Sequence, residues 1–310
     1  MIALLCATVF TGCQKEQLSD NKLEERETAS KDSVWTLTVQ AVKTDGAQTK
    51  GLAIGNGDTE ATTETLKSIW KAGEEVKVYL DATCIGTLTA TPDGSDAHLA
   101  TLSGSVNTTS IEEGVTTLLF LTPRETIDYT GQVGKLLISD DATNSIEAKY
   151  HYTIASDVLV TGVSGSNITT NKATFINQQS IYRLSFRFQK VKDGPKTSIK
   201  TKSVTISGAA GHIVQRREIG SVETTEGNIS VTLSEATTEP FFVAISNDYA
   251  NGNEEVFTFT VIDDDGATYR GNKTILEDYN YNGSFVSIKN ATLNSRLGFE
   301  LSASTVNTAL

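Results

Sequence analysis

Cysteine, histidine, methionine, tryptophan and proline are all scarce: 310 residues hold three Cys, three His, one Met, two Trp and four Pro. Cys6, Cys13 and Cys84 show no paired-cysteine spacing, which excludes a zinc cluster. His98, His151 and His212 are widely separated and none lies in H-E-x-x-H, so all three are expected at the surface. There is no G-x-S-x-G elbow, and Gly131-Gln-Val-Gly-Lys135 is too short to cradle a phosphate. No catalytic residue, metal site or cofactor is therefore expected, and the chain does not read as an enzyme. Asp263-Asp-Asp-Gly266 lacks the alternate ligand spacing of a calcium loop and reads as a tight turn instead.

Positive charge is also in short supply. Against 26 Lys and Arg stand 38 Asp and Glu, a net charge of −12, which argues against attraction to nucleic acid or to an anionic membrane. Long hydrophobic runs are missing too. The apolar leader 1–12 is too short to span a bilayer, carries no charge and ends in Phe10-Thr11-Gly12-Cys13, close to a lipobox. We expect 1–12 to be a lipoprotein signal peptide without the usual basic start, and Cys13 to carry the lipid that anchors the chain. Cys84 would then stand alone, as a small buried apolar residue. Residues 13–32, with Glu24-Glu-Arg-Glu27, read as a charged tether.

What is abundant is Thr, Ser, Gly and alternation. No 3.6-residue amphipathic pattern lasts beyond about two turns, so the chain reads as all-β. In Val34–Val42, Trp35, Leu37, Val39 and Ala41 fall on one face and mostly Thr and Gln on the other. Further strands are predicted at Val76–Leu80, Gly86–Ala90, His98–Ser103, Thr117–Leu121, Leu136–Ile138 and Ile146–Ile154. The composition of Val158–Asn171 turns to Gly, Ser, Thr and Asn, which places a domain boundary there and gives two β-sandwiches, 33–165 and 166–293. Ile181–Phe188 is the cleanest strand of the second half, and Asn282–Leu293 its last.

Between the two tryptophans, Trp35 and Trp70, lies the small polar loop Lys43–Gly51. The first strand, the Thr49-Lys-Gly-Leu52 run and Trp70-x-x-Gly73-x-x-Val76-x-Val78-Tyr79 together resemble the fimbrillins, the major pilins of Bacteroides-type bacteria. The closing Gly283-x-Phe285-x-Ser287-Ile288 stretch resembles the strand that ends their domains. The resemblance implies two tandem transthyretin-like antiparallel β-sandwich domains. It also implies an outer-membrane lipoprotein that reaches the cell surface as part of a fimbrium. Its partners would be other pilin subunits and a trypsin-like maturation protease. In that family the protease cuts after a basic residue, usually Arg, and a neighbour's strand fills the vacated groove. Here the cut would fall between Lys50 and Gly51, with Lys43 a weaker site, and release the strand of Trp35, Leu37 and Val39.

After Leu293 the segment 294–310 remains, with Leu297, Phe299 and Leu301 alternating with Gly298 and Glu300. Two readings stay open: a donor strand for a neighbour's open edge, or a final edge strand on its own sheet. The alternative to a pilus subunit is a lipid-anchored surface module that binds a glycan or host ligand and stays monomeric.

Overall fold

The computed structural model describes residues 33–43, 52–54, 66–121, 126–218, 224–247, 255–275 and 285–297. The first half of the chain gives β1 (Ser33–Lys43), β2 (Leu52–Ile54), β3 (Leu66–Ser68), β4 (Glu75–Leu80), β5 (Thr83–Pro92), β6 (Leu99–Thr108), β7 (Thr117–Leu121) and β8 (Thr126–Asp128). After a π-helical turn at Ile146–Tyr150 come β9 (Thr153–Ser164), β10 (Asn167–Thr170), β11 (Ala173–Asn177), β12 (Ser180–Gln189), β13 (Lys196–Ser198), β14 (Thr201–Gly208) and β15 (Ile213–Glu218). The chain continues as β16 (Thr224–Glu226), β17 (Ile229–Thr237), β18 (Phe241–Asn247), β19 (Glu255–Asp263), β20 (Thr268–Ile275), β21 (Phe285–Leu293) and β22 (Ser295–Leu297). The fold is all-β, as composition and alternation imply.

Seven strands close into a ring, β1–β11–β9–β7–β4–β5–β6 and back to β1, with β10 lodged between β1 and β9. Closure removes the sheet edges, which otherwise invite pairing with another chain. The period-2 alternation of each strand turns one set of side chains inward. Leu37, Val39, Val78, Leu88, Leu102, Val106, Phe120 and Phe175 fill the interior with at most 1% exposure. Burying side chains of this size contributes roughly 1.5–3 kcal/mol each.

A second core lies between two further sheets. One runs β13–β12–β18–β15–β16, with β21 beside β12 and β8 beside β15; the other runs β17–β14–β19–β20–β22. Tyr182 and Phe186 of β12 meet Phe257 and Phe259 of β19 at ring-centroid distances of 5.6 and 5.3 Å, which joins the two sheets face to face.

The strand pairing departs from the expected plan in three ways. First, the sheets are not purely antiparallel: β1 runs parallel to β10 and β11, and β21 parallel to β12. Parallel partners cannot be joined by a tight turn, so they come from remote stretches whose pairing leaves no local sequence signal. Second, the cores do not part at the expected 165/166 boundary. Of Val158–Asn171, where the boundary is expected, all but the last residue lies in β9, β10 and the tight turn that joins them, with Gly165 at φ 60. Conversely, Ile127, Tyr129, Leu136, Ile146, Tyr150 and Tyr152 belong to the second core. Asp32–Leu310 forms one compact unit. Third, Leu136–Ile138 is not a strand, and Ile146–Tyr150 is a helical turn. Ser145 Oγ accepts from the Ala148 amide at 3.3 Å, and Ile146 and Tyr150, four residues apart, both turn inward.

Candidate functional site: the first strand and its groove

Strand β1 carries the expected two faces. Thr36, Thr38 and Gln40 are exposed, while Leu37, Val39 and Ala41 are buried. Trp35 is half-buried at the strand's start, its indole Nε1 donating to Thr108 O at 3.1 Å. Both edges of the strand are taken. On one side it pairs antiparallel with β6 from Ser33↔Thr108 to Val42↔Leu99. On the other it pairs parallel with β10 at Thr36–Thr38 and with β11 at Ala41–Lys43. The Thr36 amide donates to Ser166 O at 2.8 Å and the Lys43 amide to His98 O at 3.0 Å. Without β1 the ring would lose its closure, and β6, β10 and β11 would each show an unpaired backbone edge above an apolar groove.

Lys43 ends the strand in an unexpected place. It continues the inward face of Leu37, Val39 and Ala41, and its side chain is fully buried. Its Nζ donates to both Glu74 carboxylate oxygens and to Ile69 O, all at 2.9 Å, and lies 4.0 Å from the centroid of the Trp70 ring. Glu74 is nearly as buried, with a side chain 6% exposed, and its Oε2 also accepts from the Lys71 amide at 3.3 Å. Trp70 stands edge-on to Phe175 at 5.0 Å, closing the pocket from within. An ammonium has three donors, and among the described residues Ile69 O and both Glu74 oxygens converge on it. Burying a charge is tolerated because pairing, hydrogen bonds and the ring face replace water. The sequence signal was present, since Lys43 has the phase of the apolar residues, but a Lys beside a polar loop reads as exposed.

This burial corrects the reading of Lys43 as a weaker cleavage site. A trypsin-like protease must take the lysine side chain into its own pocket, and the folded chain does not present this one. Lys50, Gly51 and Cys13 lie outside the described residues. Of the C-terminal candidates, Leu297 sits in β22, where it pairs with Thr268 of β20; Phe299 and Leu301 lie outside the described residues.

Two further expectations are corrected. Cys84 is exposed rather than buried: it is the second residue of β5, just after the tight turn at Asp81, whose φ is 52. His151 is fully buried, at the end of the helical turn that was read as a strand. The Asp263–Gly266 segment is the expected turn, with Gly266 at φ 82. Asp263 accepts from the Ala267 amide at 2.8 Å and from the Tyr269 hydroxyl at 2.9 Å, so its carboxylate is used by the hairpin. Asp264 meets Lys200 at 2.6 Å, and that hydrogen bond holds its carboxyl below the ordinary range. Among the described residues, no group of three or more His, Cys, Asp or Glu side chains is placed to hold a metal ion, and no helix is long and apolar enough to cross a membrane.

No family model matches the chain, and no curated protein matches it. Solved structures align with it at low similarity. A candidate cell adhesion protein from Bacteroides fragilis is 11% identical, with 83% of this chain and 93% of that one covered and a TM-score of 0.39. A candidate adhesin from Bacteroides ovatus is 10% identical, covering 90% and 99%, with a TM-score of 0.37. A candidate cell adhesion protein from Bacteroides eggerthii is 11% identical, covering 85% and 87%, with a TM-score of 0.35. Scores of this size do not establish a common fold.

Proposed function

We propose that the chain is a fimbrillin-like subunit of a surface fibre, without catalysis of its own, whose first strand is a removable plug. The observation that carries this reading is the place of β1: an amino-terminal strand, hydrogen-bonded on both edges, that closes a ring around an apolar interior. It is followed in the sequence by a polar stretch containing Lys50. A cut there would free β1 from its covalent tie to the rest of the ring. Its loss would expose an acceptor for a strand from a neighbour, held by main-chain hydrogen bonds and alternate side chains. On this reading the two cores answer to the tandem transthyretin-like sandwiches of that family, and Cys13 anchors the precursor in the outer membrane until it is cut.

The test is limited trypsin treatment of Asp32–Leu310, with sequencing of the new amino terminus and chromatography of the product. A single cut after Lys50, loss of β1 and growth into oligomers is the expected result. Clean cleavage with a stable monomer would move the assignment to an anchored binding module. One observation favours that second reading: β22, the start of the C-terminal segment, pairs with β20 of its own sheet.

A further inference from the structure

The groove that β1 fills ends on a buried anion. Glu74 comes from the segment leading into β4 and not from β1, so it stays with the ring when β1 leaves. Its carboxylate, Ile69 O and the Trp70 ring face one point, the point where Lys43 Nζ now sits. Two residues earlier, Ala41 is flanked by Ala100 of β6 and Ala173 of β11, in a core that Trp70 and Phe175 already fill. A larger side chain there would overpack the interior. A neutral side chain in place of Lys43 would cover Glu74 and Ile69 O while giving them no donor.

We propose that the groove selects its occupant by charge as well as by shape. It takes a strand with three alternate apolar side chains, the third small, followed two positions on by Lys or Arg set against Glu74. This rests on the strand-exchange reading above. The occupant is thus a strand of another chain with that cation, and this chain's own C-terminal segment is a poor substitute. Aligned in the direction of β1, Phe299, Leu301 and Ala303 fall on Leu37, Val39 and Ala41, but Thr305 falls on Lys43. The tail matches the apolar pattern and lacks the charge.

The experiment uses the full chain with a specific protease site placed between Thr44 and Lys50. After the cut, labelled peptides are added and binding is followed by anisotropy, with loss of β1 followed by mass. The four peptides are Ser33–Gly46, its Lys43→Met form, Ser295–Leu310 and its Thr305→Lys form. Each Lys-bearing peptide should bind at least about 30-fold more tightly than its neutral twin, the size expected when one side of a buried charge pair is missing. The difference should collapse in a Glu74→Gln protein; should that variant fail to fold, the peptide pairs on the unaltered protein decide alone. Equal binding of the twins, with exchange intact, overturns the charge selection. Binding by none of the four overturns the exchange reading, and the selection falls with it.

Discussion

Lys43 and Glu74 form an ion pair inside the first core, 2.9 Å apart, with side chains 0% and 6% exposed. The two residues are brought together by the closing of the ring, since Lys43 ends β1 while Glu74 lies just before β4. The pair therefore reports on whether β1 is seated in register. A slip of one residue would turn Lys43 outward and leave Glu74 buried without its cation. A slip of two would put Ala41, or a loop residue, in its place.

Breaking this pair from one side should cost far more than removing it whole. Lys43→Met alone leaves a buried carboxylate uncompensated and is expected to cost roughly 3–5 kcal/mol. Lys43→Met with Glu74→Leu replaces the pair by apolar groups and should recover more than half of that loss. Urea midpoints of the wild type, both single variants and the double variant measure the cycle. A single variant within about 1 kcal/mol of wild type would show that the pair is solvated and not a register lock.

Gly104 is opposite Leu37 in one pairing and Leu88 in the other. A Cβ on Gly104 would sit 2.4 Å from the Thr87 carbonyl oxygen, a backbone atom that cannot swing aside. Gly104→Ala should therefore force β5 and β6 apart, next to the strand that closes the ring, and cost about 1–3 kcal/mol. Gly94, which has open space around its Cβ position, is the matched control, and Gly94→Ala should be nearly neutral. Equal melting temperatures for the two variants would rule out this close approach.

Much of this architecture was legible in the chain. The alternation of Leu37, Val39 and Ala41 marked the inward face of β1, and Tyr182, Leu184 and Phe186 marked β12. The predicted strand Thr117–Leu121 matches β7 at both ends. What the chain hid was long-range. Nothing near Thr36 announces that its partner is Asn167, because parallel pairing across such a distance has no turn to give it away. Ile146–Tyr150 reads as a strand because Ile146, Ala148 and Tyr150 alternate with Glu147 and Lys149; a segment this short also fits a helical turn, and the deciding contact is the Ser145 cap. In the candidate site, Lys43 showed its phase but not its burial, since the acceptors that bury it, Glu74 and Ile69, lie some 30 residues on.

Buried tyrosines of the second core should give the protein an alkaline limit. Burial first, then the nearby Asp128 and Asp141 charges, push Tyr150 from the ordinary value of 10.0 up to about 12. Burial raises Tyr182 as well. A raised value means that the folded state holds a proton that the unfolded state gives up earlier. Stability is then fully present below pH 10 and is lost as pH rises towards about 12. Urea midpoints should be level across neutral pH and fall between these two values. Tyr150→Phe should flatten that fall, and absorbance titration should show it missing from the latest-ionising phenols.

The interleaving of the two cores predicts that the chain cannot be halved at the sequence-derived boundary. A fragment 33–165 would lack β10 and β11, which pair with one edge of β1 at Thr36–Thr38 and Ala41–Lys43. It would also carry Ile127, Tyr129, Leu136, Ile146 and Tyr150 without the second core that buries them. Both defects expose what the intact chain hides: an unpaired strand edge and a set of large apolar side chains, the conditions under which β-rich fragments associate. The complementary fragment 166–310 would lose β8 from the side of β15 and the aromatic pair of Tyr129 and Tyr150. Neither half should give a dispersed amide spectrum, and 33–165 should elute as aggregate, whereas Asp32–Leu310 should be monomeric and fold as one unit. A well-dispersed, monomeric 33–165 would show that the first core closes without β10 and β11. The ring described here would then not be what holds β1 in place.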